Sequence, residues 1–227
     1  MRNEQSLQAV RAARLNDYHV SPHETYTFAR IPHLVRRFRG TRPLIEVKIR
    51  EGRMPDIVSD LRSGVADFGV GYVNSLTDGL DGVLLRNEPI HVLVPSSHPL
   101  AHDKRPHIAL ADLAHQPLVS SPIEGHLRKL IDGAAATAGI PLRTAVTVDR
   151  LLTIIHHVCA GVGIGLLPAG CLPMLQWGEG FHAALLTEPA LSVDVGLITL
   201  HGRYQTPAAT SMMGLIREIY GGESPNP

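Results

Sequence analysis

Apolar residues along the first third of the chain alternate between helical spacing and strand spacing. Residues 31–38 carry apolar side chains at i, i+3, i+4 and i+7, as an amphipathic helix does, and Arg42-Pro43 ends this pattern. Strict alternation over 45–50 predicts a strand, a second helix closes at Gly64, and residues 66–72 form a short apolar strand. Strand, helix and strand in this order predict an α/β sheet with right-handed parallel crossovers.

The same order of elements repeats in the second half of the chain. Residues 90–94 and 118–120 predict short buried strands, and apolar residues spaced through 127–138 predict a long helix that ends at Gly139. This repeat favours a second α/β unit built on the same plan. The remaining predicted elements are a partly apolar helix over 5–15, a polar first strand over 16–20, a strand over 144–148, a helix capped by Asp149 and stopped by Gly161, strands over 162–167 and 193–200, and a last helix from Thr206.

Composition limits the kinds of partner and compartment that fit the chain. Of 227 residues, 44% are hydrophobic but only 4% are aromatic, so the core has to be built mainly from aliphatic side chains. Lys and Arg together number 21, as do Asp and Glu, and the formal net charge is therefore zero. A chain balanced in this way lacks the bulk positive field of a protein that grips a phosphate backbone by itself. Since there is no apolar run of membrane-spanning length and no signal-peptide pattern, we expect a soluble cytoplasmic protein.

Motifs for catalysis, cofactors and metals are weak in this sequence. It contains neither a Gly-x-Ser-x-Gly nucleophile elbow nor a phosphate-cradling Gly-x-x-x-x-Gly-Lys loop. The adjacent His156 and His157 would point about 100° apart on a helix and are poorly placed to chelate a metal. Cys159 and Cys171 fit buried thiols in a reducing compartment. We therefore expect no cofactor, no structural metal and no catalytic residue.

Four segments, in their order and spacing, resemble the substrate-binding (effector-binding) domain of LysR-type transcription regulators. They are the helix over 31–38 with the strand after it, the run 61–70, the stretch 88–101 with its Glu-Pro and His-Pro pairs, and the glycine-rich run 158–168. Together they extend the resemblance over residues 17–220. The polar first strand departs from the family pattern because it lacks the expected glycine.

The resemblance implies an α/β fold of two Rossmann-like lobes, the type 2 architecture of periplasmic binding proteins, joined by a two-strand hinge. Lobe I would comprise residues 17–89 and 196–221, and lobe II would comprise residues 90–195. Residues 1–16 would be the remnant of a linker helix or disordered, and 222–227 a flexible tail.

The resemblance also implies a sensor function. A small-molecule effector bound between the lobes would drive their closure and so change the geometry of a homodimer or tetramer. DNA would be contacted only through the family's winged helix-turn-helix domain, which is absent from this chain, and no membrane contact is expected. Two alternatives stay open: a free-standing solute-binding protein of the same fold, and an enzyme grown on it, such as a deaminase-like or prephenate-processing relative.

Candidate ligand-binding residues follow from a general rule for α/β sheets. Ligands settle beyond the carboxyl ends of the strands, where helix N-termini present N–H groups and positive dipole ends. Polar residues after the predicted strands are mostly hydroxyl-bearing or basic, which suits an anionic metabolite such as a carboxylate. The residues selected in this way are Ser21, His23, Thr25, Arg53, Tyr72, Ser120, Ser121, Asp149 and Arg150.

Overall fold

The computed structural model describes residues 17–22, 31–74, 76–172 and 180–221. The helix predicted over 5–15, the proposed linker remnant and the tail lie outside these ranges. The strands within them are β1 (Asp17–Pro22), β2 (Glu46–Ile49), β3 (Phe68–Tyr72), β4 (Leu80–Pro95), β5 (His107–Ala109), β6 (Pro117–Ser120), β7 (Arg143–Thr147), β8 (Ile164–Pro168), β9 (Phe181–Thr187) and β10 (Ser192–Leu200). The helices are α1 (Ile31–Thr41), α2 (Met54–Ser63), α3 (Pro99–His102), α4 (His126–Ala138), α5 (Leu151–Cys159) and α6 (Pro207–Gly221), with a 3-10 turn at Leu110–Leu113.

The chain divides into two compact units. The first contains the chain up to Arg86 together with the chain from Val195 onward, and the second contains Asn87–Asp194. Both divisions fall inside strands, one in β4 and the other in β10, so two strands carry the chain from unit to unit. The lobe boundaries expected from the sequence, after residues 89 and 195, lie three residues and one residue further along the chain.

The first unit is built on a parallel sheet in which β1 lies between β2 and β3. Antiparallel β10 extends the sheet beyond β3, and the start of β4 lies next to β10. Helix α2 covers this sheet with Ile57 and Leu61, which form a fully buried cluster with Ala66 and Ile198. Gly64 ends the helix with a φ of 75°, a left-handed conformation that glycine adopts without the strain of a Cβ.

Helices α1 and α6 pack together in the same unit. Leu34 and Phe38 of α1 are buried, as is Met212 of α6, and burying a side chain of this size contributes about 1.5–3 kcal/mol. An ion pair of 2.6 Å joins Arg37 and Glu218 across the two helices, with both side chains more than half exposed. Because exposed ion pairs contribute little, the apolar contact holds the helices together.

The second unit repeats the parallel arrangement around β6, which pairs with β7 on one side and β8 on the other. Antiparallel β4 follows β8, then β9 pairs with β4, and β5 pairs with β9. Helix α4 ends at Gly139, whose φ of 67° again favours glycine. Both units therefore contain the alternating order of strands and helices that the sequence predicts.

Three details differ from the sequence-based prediction. Strand β4 begins at Leu80 rather than at residue 90, since its first half is largely exposed and its apolar residues, Val83 to Leu85, do not alternate with polar ones. Strand β9 was not predicted, because its apolar residues do not alternate. The predicted N-cap at Asp149 is wrong: Arg150 holds the cap position of α5, with extended backbone angles, since the chain turns into the helix one residue later.

The backbone just before β8 lies very close to the backbone at the start of β6. A Cβ on Gly163 would lie 2.4 Å from the carbonyl oxygen of Pro117, closer than real Cβ atoms come to any neighbour. A Cβ on Gly165 would meet Ile154 of α5 at 2.6 Å. The glycines of this segment therefore allow a strand and a helix to approach β8 more closely than side chains would permit.

Substitution of Gly163 by alanine should destabilise the protein by roughly 1–3 kcal/mol, because the backbone of β6 has to shift to make room. Urea unfolding followed by circular dichroism measures the loss. Gly133→Ala is the matched control: Gly133 lies within α4 with no atom within 4 Å of its Cβ position, so alanine should be neutral or stabilise by up to about 1 kcal/mol. Equal effects of the two substitutions would show that the contact at Pro117 imposes no constraint.

Candidate functional site

Four of the predicted site residues lie at one edge of the second unit's sheet. Parallel strands β6 and β7 end side by side, with Ser120 opposite Thr147, and the amide of Val148 donates to the Ser120 carbonyl at 2.9 Å. Ser121 continues β6 toward α4, and Asp149 and Arg150 continue β7 toward α5. The strand order therefore brings Ser120, Ser121, Asp149 and Arg150 to the same edge of the sheet, while their contact with a ligand stays a prediction.

A small recess lies beside Ser120 and Ser121. Its volume is about 10 Å³, room for about one water molecule. Two serines, one threonine, one arginine and one aspartate are among its lining residues, and the others are aliphatic. The residues are Leu118, Val119, Ser120, Ser121, Leu127, Arg128, Ile131, Asp132, Thr144 and Leu166.

Arg128 and Asp132 supply the charge of this recess. The Arg128 Nε donates to an Asp132 carboxylate oxygen at 2.6 Å, and Nη1 makes a long contact of 3.5 Å with the Ser121 carbonyl. Only 17% of the Arg128 side chain is exposed, against 36% for Asp132. Sequence reasoning missed both residues, although arginine and aspartate four residues apart on a predicted helix were a usable signal.

His126, the first residue of α4, contributes no second positive charge near neutral pH. Burial lowers the pKa of the His126 ring, and the nearby charge of Lys129 lowers it further. The uncharged form is therefore favoured at pH 7, since even the ordinary histidine pKa lies near 6.5. Positive charge lining the recess comes from Arg128 alone among the lining residues.

The first unit presents a comparable edge with three of the predicted residues. Ser21 lies near the end of β1 beside Gly69 of β3, while Tyr72 ends β3 and is buried. Arg53 follows β2 as the N-cap residue of α2, and its backbone amide donates to the Asp56 carboxylate at 2.9 Å. Because β1, β2 and β3 are parallel, all three residues lie at the same edge of the sheet.

Two of the predicted site residues, His23 and Thr25, lie outside the described residues. The Arg53 side chain is 53% exposed and lies 3.9 Å from Asp56 at its nearest charged atoms, so this ion pair leaves the guanidinium accessible to solvent.

The described ranges hold no group of three or more His, Cys, Asp or Glu side chains arranged for a metal ion. Cys159 is half-buried and Cys171 buried, and both are thiols rather than partners in a disulfide. Among the helices described, none is long and apolar enough to cross a membrane.

Solved structures of similar fold include effector-binding domains. The effector-binding domain of QuiR in complex with shikimate superimposes with a TM-score of 0.77 at 20% identity, covering 91% of this chain and 97% of that one. The BenM effector-binding domain with its effector benzoate gives a TM-score of 0.76 at 21% identity, covering 92% and 96%. The predicted α/β fold of the type 2 periplasmic binding proteins is therefore confirmed.

Relatives and a family match give the same result at the level of sequence. The HTH-type transcriptional regulator YnfL of Escherichia coli strain K12 is 28% identical over 174 residues, which cover 76% of this chain and 57% of that protein. The chain thus spans somewhat more than half the length of this regulator. Residues 19–220 match the LysR substrate binding domain. The chain belongs to the LysR substrate-binding domain family.

Proposed function

We propose that this chain is the sensing part of a LysR-type transcription regulator and binds a small-molecule effector. The observation that carries the proposal is the recess between β6 and α4, whose lining residues include Ser120, Ser121 and Arg128, in a chain of this family. Strand ends followed by helix N-termini are where α/β sheets bind small ligands. The relative reported above, YnfL, is a transcriptional regulator, and we propose no catalytic role for this chain.

The proposed effector is a carboxylate or a similar anion. Shikimate and benzoate, which occupy the QuiR and BenM domains, are both carboxylic acids. Hydroxyl groups and a guanidinium are suitable hydrogen-bond donors for such a group. The proposed contacts are Ser21, His23, Thr25, Arg53, Tyr72, Ser120, Ser121, Asp149 and Arg150.

Signalling would follow from differential affinity. An effector shifts the protein toward whichever conformation binds it more tightly, and only by the difference in binding free energy. Moving a population from 1:99 to 99:1 takes roughly 5.5 kcal/mol. A few charge-assisted hydrogen bonds of about 1.5–3 kcal/mol each are sufficient.

The proposed macromolecular partners are other copies of the chain and DNA. We propose a homodimer or tetramer whose geometry changes when the effector binds, and we propose that it acts on DNA in the cytoplasm. DNA recognition would belong to a helix-turn-helix region outside the matched residues, while this chain, with a net charge of zero, supplies the sensing.

A thermal-shift screen of carboxylate metabolites, each paired with its neutral amide, tests the proposed function. At 100 times its dissociation constant, an effector should add about 2.7 kcal/mol to the stability of the folded state, and the amide should add less. Equal, negligible shifts across a broad panel of acids, amides and sugars would contradict an effector-binding role.

Substitution of two proposed contacts tests the site. Arg53→Ala and Ser121→Ala should each weaken effector binding about tenfold, which corresponds to the loss of one charge-assisted or well-placed hydrogen bond. Calorimetry with the hit from the screen measures affinity, and unchanged thermal unfolding shows that the fold is intact. Arg217→Ala and Ser97→Ala, both at exposed positions, are controls that should bind as the unsubstituted chain does. Unchanged affinity in both test variants would refute the assignment.

The proposed dimer should involve α1 of the first unit and the β7 surface of the second. β7 is an edge strand of its sheet, and Ala145 at its centre is exposed. Light scattering should give the mass of a dimer, and Ala145→Lys should shift it toward the monomer, because a lysine on an edge strand opposes pairing. Ala136→Lys, on the exposed face of α4, should leave the mass unchanged. A monomer at high concentration would count against the dimer.

A further inference from the structure

We infer that Arg128 selects the anionic group of the effector and that Asp132 holds this arginine until an anion replaces it. The inference rests on the proposed function and names the chemical group that the recess recognises. It also assigns opposite roles to two residues that were not selected by the rule that ligands bind beyond the carboxyl ends of strands.

The geometry of the pair leaves Asp132 replaceable. One guanidinium nitrogen, Nε, contacts one carboxylate oxygen at 2.6 Å, whereas a bidentate arginine–carboxylate pair joins two nitrogens to two oxygens. Nη1 makes only the 3.5 Å contact with the Ser121 carbonyl, at the long limit of a hydrogen bond. Asp132 is also about one third exposed, so water competes for its carboxylate.

The position of the pair favours an exchange of partners. Arg128 is held in place by its largely buried side chain, with 17% exposed, whereas Asp132 lies nearer to solvent. Of the recess-lining residues, Arg128 is the only cation and Asp132 the only anion, so an arriving carboxylate meets one attractive and one repulsive charge. It can bind well only where it takes over the hydrogen bond that Asp132 makes.

The size of the recess restricts what enters. A volume of about 10 Å³ accommodates about one water molecule, so a carboxylate group fits only as it takes the place of the Asp132 carboxylate. Ser120, Ser121 and Thr144 are also among the residues that line the recess, and a serine or threonine hydroxyl can donate to a second oxygen. The remainder of an effector would lie outside the recess, where the structure imposes no demand for charge.

Titration of the 227-residue chain with sodium formate tests the inference, because formate is the carboxylate group alone. Ionic strength is held constant with chloride, and formamide serves as the neutral probe. The nuclear magnetic resonance signal of the Arg128 Nε–H follows the exchange directly. We expect a saturable shift with formate and none with formamide.

Four variants separate the roles of the two residues. Asp132→Asn removes the competing charge at constant size and should tighten formate binding several-fold, and Arg128→Gln should weaken it at least about tenfold. Arg128→Lys keeps the charge but not the planar set of donors. It should bind formate more tightly than Arg128→Gln and less tightly than Asp132→Asn. Lys129→Gln removes a neighbouring exposed charge outside the recess and should change affinity little. For the variants, the amide signals of Gly125 and His126 report binding.

The outcomes are distinct from those of the effector screen. No saturable shift in the unsubstituted chain, weaker binding by Asp132→Asn, or unchanged binding by Arg128→Gln would each overturn the inference. If Arg128→Gln fails to fold, the Asp132→Asn and Arg128→Lys arms decide. A positive metabolite screen with any of these failures would leave effector binding in place and remove only the assigned roles of Arg128 and Asp132.

Discussion

The position of β6 depends on one steric constraint, the absence of a side chain at Gly163. The Pro117 carbonyl occupies the space that a Cβ on residue 163 would need. Because glycine has no Cβ, β8 can lie directly beside β6. This approach lets Leu118 and Val119 of β6 pair with Ile164 and Gly165 of β8, and Leu118 and Leu166 both line the recess. The site is thus built on backbone packing, and its polar side chains are placed by strands whose positions they do not themselves determine.

The two charged residues of the recess differ in their exposure to solvent. The cation of the recess is mostly buried on α4, and its acidic partner lies one helical turn later and closer to water. Burial of His126 favours an uncharged ring at the start of the same helix. The Arg128 side chain is less exposed than that of Arg53, at 17% against 53%, so its ion pair with Asp132 is screened less by salt than a charge at Arg53.

Much of the fold could be read from local patterns, whereas the site could be read only in part. Glycines at helix ends, such as Gly64 and Gly139, gave correct ends because their left-handed angles are a local property. The first half of β4 was missed because an exposed strand carries no apolar period. The rule that ligands bind beyond the strand ends selected Ser120 and Ser121, which line the recess. Nothing local in the sequence shows that Arg128 and Asp132 lie beside them, since that depends on how α4 packs on the sheet.

The divisions inside β4 and β10 also determine the order in which the chain can assemble during synthesis. The second unit is one continuous segment, Asn87–Asp194, whereas the first needs β10 next to β3 and takes it from beyond Val195. As the ribosome extends the chain, every strand of the second unit has emerged before the first unit's sheet can be completed. The part made first must therefore wait for the part made last, and the unit that carries the recess can already be folded while it waits.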